Sequence, residues 1–207
     1  MAVNNFLLLI LIAILEAADG NLSTNYYSST CPKALSIVRE GVRKAIKNET
    51  IMGASLLRLH FHDCFVNGCD GLILLDDSAN FVGEKTAVRN NNSIRGYNVI
   101  DEIKAQVEKA CPEVVSCAEV VAITARDSVV SLGGPSWEVR LGRRDSLTAS
   151  RSAADTSLPR SKTNLTGLIS NFSAVGLSLK DMTEETGSEG PGFVGLTKEE
   201  ELEDTEE

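Results

Sequence analysis

Apolar side chains recur at three- and four-residue spacing in five stretches of the chain, which is the spacing of an amphipathic α-helix. The predicted helices are centred on residues 35–46, 52–63, 99–110, 118–132 and 165–175. The segment 64–84 is rich in Gly, Asp and Asn and predicts a loop, and 136–159 predicts an irregular connection. The pattern therefore predicts an all-α fold.

The N-terminus is typical of an export signal. Residues 6–15 form an apolar run that is too short to span a bilayer comfortably. The small residues Ala18 and Gly20 follow, at the positions expected before a cut that leaves Asn21 first. We therefore expect a signal peptide at 1–20; the alternative is a buried or membrane-anchoring helix.

The C-terminus predicts a disordered acidic tail. Ser178 and Asp181 have the spacing of a helix start, but we expect this sixth helix not to develop. The stretch 184–207 is acidic and glycine-rich, with too few apolar residues to offset the entropy of ordering. We therefore expect one domain at 21–183 followed by the tail at 184–207.

Charge is distributed unevenly along the 207 residues. The net charge is −9. Residues 181–207 hold 11 acidic side chains and one lysine, whereas 21–180 hold 19 basic and 16 acidic ones. The basic residues are dispersed and form no stripe with aromatic residues, so we expect no nucleic-acid partner. We expect the tail to be solvated rather than an interaction segment.

Both histidines of the chain lie in LRLHFHDCFVNGCD, residues 57–70. On a helix, Arg58, Phe61 and His62 share one face and His60 points nearly opposite. An imidazole moves protons near neutral pH, and a guanidinium stabilises developing negative charge. Peroxide cleavage needs this pair, because a proton moves between the two oxygens while the leaving oxygen gains charge. A purely structural Arg–His pair is the alternative.

The same segment offers two kinds of metal site. Two carboxylates and two backbone carbonyls provide the oxygen ligands that Ca²⁺ prefers: Asp63, Asp70, Val66 and Gly68. A zinc site would instead use His60, His62, Cys64 and Cys69. Zinc is disfavoured because the two imidazoles diverge on a helix and export favours a disulfide over thiolate ligands. Solvated turn carboxylates are the alternative to calcium.

The chain has five cysteines and five Asn-x-Ser/Thr sequons. An odd number of cysteines leaves at least one without an intrachain partner. The sequons, which are acceptor candidates for glycosylation in an exported protein, begin at Asn21, Asn48, Asn91, Asn164 and Asn171.

Four motifs resemble the secretory plant haem peroxidases (class III): RLHFHDCFVNGCD, GEKTAVRNNNSIRGY, CPEVVSCAEVVAITARDSVVSLGGPSW and LGRRDS. The similarity extends from about Asn21 to Thr183. It implies the all-helical distal domain of the peroxidase fold, with haem b as cofactor and H₂O₂ and small phenolic donors as substrates. It also implies a monomer without membrane association after signal cleavage, located outside the cell, in the wall or in the vacuole.

The resemblance assigns roles around the haem. His62 resembles the distal acid–base histidine and Arg58 the distal arginine. Asn90, the first of three consecutive asparagines, resembles the residue that accepts a hydrogen bond from His62. Phe61 resembles the aromatic residue that shields the haem edge, and Pro159 the proline whose carbonyl contacts aromatic donors.

The resemblance also implies a distal calcium site and two disulfides. The calcium ligands would be Asp63, Val66, Gly68 and Asp70. Glu84 resembles the acid that links Asn90 to this calcium. Leu72 stands where the family has a serine ligand, so we expect weaker calcium binding. The implied disulfides are Cys31–Cys111 and Cys64–Cys69, which leaves Cys117 unpaired.

The resemblance ends at Thr183. The family continues after a sequence like SLKDMT into a helix that carries the proximal histidine, whereas this chain has no histidine after His62. We therefore expect the proximal ligand and the second calcium site to be absent and activity to be impaired. We also expect exposed apolar faces on the helices at 118–132 and 165–175. The alternatives to an enzyme are a haem-free inactive fragment and a calcium- or wall-binding module.

Overall fold

The protein is described from a computed structural model that covers residues 22–160 and 162–186. The expected signal peptide at 1–20 and the tail from residue 187 onward lie outside these residues. The described residues form seven α-helices: α1 (Ala34–Asn48), α2 (Met52–Cys64), α3 (Tyr97–Ala110), α4 (Cys117–Ser131), α5 (Arg151–Ser157), α6 (Leu165–Ala174) and α7 (Leu179–Thr186). They contain no β-sheet, only two isolated bridges and a 3₁₀ turn at Leu72–Leu74. The predicted all-α class is confirmed.

Helix α4 is the centre of the main core. It packs against α1, α2 and α3, and every residue from 118 to 129 is buried. Its first turn is capped by Ser116, whose hydroxyl accepts a hydrogen bond from the Glu119 N–H. The expectation of an exposed apolar face here is wrong, because three neighbouring helices surround α4; Val130 is its exposed apolar residue.

A second apolar cluster joins the end of α2 to α5, α6 and α7. Its buried members are Phe65, Val66, Ala87, Ala154, Leu158, Phe172, Leu177 and Met182. Phe61 packs against this cluster from α2. On α6 only Phe172 is buried, and Leu165 is 63% exposed, so the expected apolar exposure is present on this helix.

Two helices correct the sequence-based predictions. Helix α5 forms inside the segment predicted to be irregular, because the Ser150 hydroxyl caps it and Ala154 is fully buried. Helix α7 develops to Thr186, three residues beyond the expected break. The Asp181 N–H donates to the Ser178 hydroxyl and the Ser178 N–H donates to the Asp181 carboxylate, which forms a complete capping box.

Two disulfides connect these elements. Cys31 is bonded to Cys111, which ties the segment before α1 to the end of α3, and Cys64 is bonded to Cys69 across the loop after α2. Both are the pairings that the resemblance implies, and Cys117 forms no disulfide. Within the described ranges no helix has the length and apolar character needed to cross a membrane.

Candidate active site

The centre of the candidate site is a hydrogen-bond chain from His62 through Asn90 to Glu84. The Nδ1 atom of His62 lies 2.7 Å from Oδ1 of Asn90, and Asn90 Nδ2 donates to the Glu84 main-chain carbonyl at 2.9 Å. Because the amide nitrogen of Asn90 is used as a donor, its oxygen faces His62. Nδ1 of His62 therefore carries the proton and donates it to the hydrogen bond. Nε2 remains the basic nitrogen and forms no hydrogen bond with a described residue.

Burial keeps His62 neutral. The side chain is nearly inaccessible, and desolvation lowers its pKa to about 4. The hydrogen bond to Asn90 acts in the opposite direction and the positive charge of Arg58 acts in the same direction. At neutral pH the imidazole is therefore an unprotonated base.

Arg58 is anchored to the loop that carries Asn90. Its Nη1 donates to the Ser93 carbonyl at 2.7 Å and its Nη2 donates to the Ser93 hydroxyl at 2.8 Å. Arg58 is an exposed residue, and it lies one helical turn from His62 on α2. Ser93 belongs to the Asn91 sequon and to the motif GEKTAVRNNNSIRGY, but neither indicates a role beside Arg58; its contact with Arg58 identifies it.

The structure selects Asn90 among three consecutive asparagines. Asn90 is 1% exposed, whereas Asn91 and Asn92 are exposed to solvent. A tight turn holds this register, because the Asn90 N–H donates to Ala87 O and the Ser93 N–H donates to Asn90 O.

Phe61 lies beside His62 at the edge of the second apolar cluster. Its ring centroid is 5.6 Å from that of His62 and 4.6 Å from that of Phe65. Pro159 is half-buried and directly follows Leu158, a buried member of the cluster. Phe61 therefore packs directly on the second cluster, whereas Pro159 is joined to it through the chain at Leu158.

The end of α2 and the loop after it bring together one buried and one half-buried carboxylate. Asp63 is fully buried, and its two oxygens accept hydrogen bonds from the Gly71 N–H at 3.0 and 3.2 Å. Asp70 accepts from the Leu72 N–H at 3.1 Å. Gly68 has a φ of +98°, which allows the sharp turn between the two aspartates.

These carboxylates make the loop electrostatically unfavourable without a cation. Burial raises the pKa of Asp63, and the charges of Asp70 and Glu84 raise it further. Burial, with a contribution from Asp70, raises the pKa of Glu84 to about 7. Glu84 Oε2 is buried and has no hydrogen-bond partner among the described residues. This donor set fits a hard cation such as Ca²⁺. Leu72 is buried and contributes no side-chain oxygen.

The side chain of Glu84 does not reach Asn90. Its Oε1 accepts a hydrogen bond from the Ser150 N–H at 3.0 Å, whereas Asn90 contacts the Glu84 main chain. The expected link between Asn90 and the calcium loop therefore runs through the backbone of Glu84. Ser150, which also caps α5, was not found from the sequence.

The zinc arrangement considered for this segment does not form. Cys64 and Cys69 are joined in a disulfide and therefore offer no thiolates, and His62 bonds to Asn90. His60 lies on the other side of α2, with Nδ1 3.4 Å from Cys64 Sγ. Burial lowers the pKa of His60 to about 3, with a smaller contribution from Arg143.

Comparison with known proteins decides the family. The profile of the family described as "Peroxidase" matches residues 38–185. The chain belongs to this family. It is 58% identical over 181 residues to Peroxidase 4 of Vitis vinifera, which covers 87% of this chain and 56% of that protein. It is 59% identical over 167 residues to Peroxidase P7 of Brassica rapa subsp. rapa, covering 81% and 56%.

A third relative, Peroxidase 67 of Arabidopsis thaliana, is 52% identical over 183 residues, which covers 88% of this chain and 58% of the relative. The chain thus spans a little over half the length of the curated relatives that it matches.

The side chains to which the resemblance gives a distal role have a chemistry that fits the haem that the peroxidase family implies. Arg58, Phe61 and His62 are placed on one face of α2, and the basic Nε2 of His62 is left without a protein partner among the described residues. The histidines of this chain do not include one outside α2 that could be an axial iron ligand. The sequence holds two histidines, and both belong to α2. His60 faces the Cys64–Cys69 disulfide, so it is not placed opposite His62.

Proposed function

We propose that this peroxidase-family chain forms the distal half of a haem peroxidase site that cleaves H₂O₂. The observation that supports this most strongly is the 2.7 Å contact between His62 and Asn90, which leaves a neutral imidazole with Nε2 as a proton acceptor. Haem, when bound, would supply the iron that binds the peroxide and the two electrons that reduce it.

His62 is the proton carrier in this proposal. Nε2 takes the proton from one peroxide oxygen and returns it to the other, so that the second oxygen leaves as water. Asn90 holds Nδ1 protonated throughout, and the Glu84 carbonyl holds Asn90 in turn. The imidazole therefore cannot change tautomer without breaking a buried hydrogen bond, which costs about 1–3 kcal/mol.

Arg58 stabilises the charge on the leaving oxygen. Its guanidinium has five N–H donors, and Ser93 occupies two of its nitrogens. The remaining donors are accessible from solvent because the side chain is exposed. Ser93 therefore acts as the positioning residue for Arg58 while leaving donors for the peroxide.

Small phenolic donors are the proposed reducing substrates. The Pro159 carbonyl would accept a hydrogen bond from a phenol hydroxyl, and the partly exposed Phe61 ring would contact the aromatic ring of the donor. The proposal also takes the protein to be a monomer with domain limits at 21–183. It is exported to the cell exterior, wall or vacuole after removal of residues 1–20.

The calcium loop is proposed to bind one Ca²⁺ weakly. Asp63, Asp70 and the carbonyls of Val66 and Gly68 would be the ligands. The buried Oε2 of Glu84, which has no hydrogen-bond partner in the described part of the chain, supports a nearby cation. Leu72 removes one side-chain ligand, which lowers the affinity.

The chain by itself is proposed to bind haem weakly and to turn over slowly. Neither histidine is placed as an axial ligand, and the other candidates are poorly placed as well. Met182 is buried in the second cluster. Cys117 lies at the start of α4, where burial of the thiol, with a smaller contribution from the charge of Asp145, raises its pKa to about 11.

The test compares this chain with a fusion in which residues 1–182 precede the C-terminal part of the Vitis vinifera relative. Each protein is mixed with hemin, and oxidation of a phenolic donor by H₂O₂ is followed. We expect turnover by the fusion and little by the chain alone. An inactive fusion that nevertheless binds hemin stoichiometrically would contradict the assignment of a competent distal site.

A further inference from the structure

A buried histidine and a disulfide lie together at the end of α2, away from the His62 side. One nitrogen of His60 and the sulfur atoms of Cys64 and Cys69 all lie within 4.8 Å of one another. An open cavity of about 290 Å³ reaches the two cysteines and is lined further by Asn67 and Ser157. The disulfide is thus accessible to small solutes on one side and contacts an imidazole on the other.

We propose that reduction of the Cys64–Cys69 disulfide converts this cluster into a binding site for a thiophilic divalent cation such as Zn²⁺. The ligands would be the two thiolates and the His60 imidazole. The fourth position would be taken by water from the cavity, because the cavity is lined by both cysteines. Three protein ligands and an open position are a common zinc arrangement.

The required movement is confined to the two sulfur atoms and the ring of His60. Tetrahedral zinc with Zn–S of about 2.3 Å and Zn–N of about 2.0 Å places its ligand atoms about 3.6–3.8 Å apart. His60 Nδ1 and Nε2 lie 3.4 and 3.6 Å from Cys64 Sγ, so this sulfur lies over the face of the ring. The imidazole must therefore turn until one nitrogen points at the metal, and the sulfur atoms must separate from a bonded distance of about 2.05 Å, which is a change of less than about 2 Å. Gly68, beside Cys69, has no atom within 4 Å of the position that a Cβ would occupy, so the loop has space to adjust.

The charges balance in the reduced state. The positive charge of Arg143 near His60 acts against a cation, but two thiolates supply two negative charges at the site. Reduction by a phosphine breaks the S–S bond and adds two electrons, and the phosphine takes an oxygen atom from water to become its oxide. The two thiol protons leave to solvent when the metal binds. Neither step involves haem, so this proposal is independent of the peroxidase function.

The test uses the full chain carrying Cys117→Ser, so that no other free thiol is present. The protein is reduced with a water-soluble phosphine, desalted under argon and titrated with Co²⁺ and then Zn²⁺. Alkylation and peptide mapping verify that Cys31–Cys111 is intact, as expected because Cys31 is fully buried. We expect a sulfur-to-cobalt charge-transfer band at one Co²⁺ per chain that Zn²⁺ abolishes. The unreduced protein should show no band.

Two variants locate the ligands. His60→Gln should weaken Co²⁺ binding at least about tenfold, since removal of even a supporting residue of a metal site costs that much. Cys69→Ser changes a half-buried position and should abolish the band. Circular dichroism monitors the fold throughout. If reduction lowers helicity, its recovery with Zn²⁺ supports the proposal. No recovery, no band in the folded reduced protein, or an unchanged affinity in His60→Gln would overturn it.

Discussion

His62 and Asn90 are joined by a 2.7 Å hydrogen bond between residues 28 positions apart in sequence. Because Asn90 also donates to the Glu84 carbonyl, the bond fixes both the orientation of the amide and the tautomer of the imidazole. This hydrogen bond at Nδ1 gives the buried His62 a defined basic nitrogen, Nε2, which a purely structural histidine would not need.

The two histidines should both be neutral over the whole range in which an ordinary histidine titrates. The pKa of His62 is lowered to about 4 and that of His60 to about 3. NMR of the two imidazoles should show no titration between about pH 5 and pH 8, with Nδ1 protonated in His62. Asn90→Val removes a hydrogen bond that raises the pKa of His62, so this value should fall further. Asn91→Val, at an exposed position, is the matched control; a titration near pH 6.5 in the folded protein would contradict this.

Glu84 should make the protein less stable as the pH rises from about 4.5 to about 7. Its folded-state pKa is raised from 4.5 to about 7, so the folded state holds a proton that the unfolded state has lost in this window. The free energy of unfolding is measured with urea in the presence of a chelator. Between these two pH values it should fall more in the wild type than in Glu84→Gln. Contributions from His60 and His62 cancel in this difference. Parallel pH dependences in the two proteins would refute the proposed role of Glu84.

Leu72→Ser should tighten calcium binding on the order of tenfold, which corresponds to ~1.4 kcal/mol, by restoring an oxygen ligand. Leu72 is 2% exposed, so both Leu72→Ser and its control Leu72→Ala should lose about 2–5 kcal/mol of stability through the cavity. Calorimetric titration with Ca²⁺ separates the two effects. Equal affinity in the serine and alanine variants would exclude position 72 as a ligand position, and Asp63→Asn should abolish binding.

The two disulfides should differ in their contribution to stability. Cys31 and Cys111 are 80 positions apart, and Cys64 and Cys69 are five apart. From loop length alone, removing the first pair should cost about 4–5 kcal/mol and removing the second about 2 kcal/mol. Urea unfolding of variants in which each cysteine pair is replaced by alanine measures the two losses. Peptide mapping of the unmodified protein should find Cys117 unpaired. A larger loss from the short loop would show that it contributes more than chain entropy.

The sequence predicts α1 to α4 and α6, and it misses α5 and the development of α7. The apolar spacing of helices α1 to α4 persists over 13 to 15 residues, which makes them recognisable. Helix α5 has seven residues and one buried side chain, Ala154, so no periodicity could reveal it. The Ser178–Asp181 signal for α7 was present in the sequence, but the burial of Met182 that completes the helix depends on Phe172 and other distant residues.

The candidate site likewise contains residues that the sequence identifies and residues that only the fold identifies. The spacing of Arg58, Phe61 and His62 on one helix could be read directly from the sequence. The resemblance already points to Asn90, but the turn that buries it and leaves Asn91 exposed is a property of the fold. The roles of Ser93 and Ser150 depend on contacts across 35 and 66 positions. Such contacts are set by tertiary packing, and a single serine carries no local pattern that would indicate them.

The most direct test of the central claim is the pH dependence of the reaction of H₂O₂ with the haem-loaded fusion protein, compared with the same fusion carrying His62→Ala. If neutral His62 takes the peroxide proton, the second-order rate should be constant near neutral pH and fall below about pH 4, as His62 becomes protonated. The His62→Ala protein should be slower by on the order of 10²–10⁴-fold and should lack this acid limb. Equal rates in the two proteins, or an acid limb that persists without His62, would contradict the account.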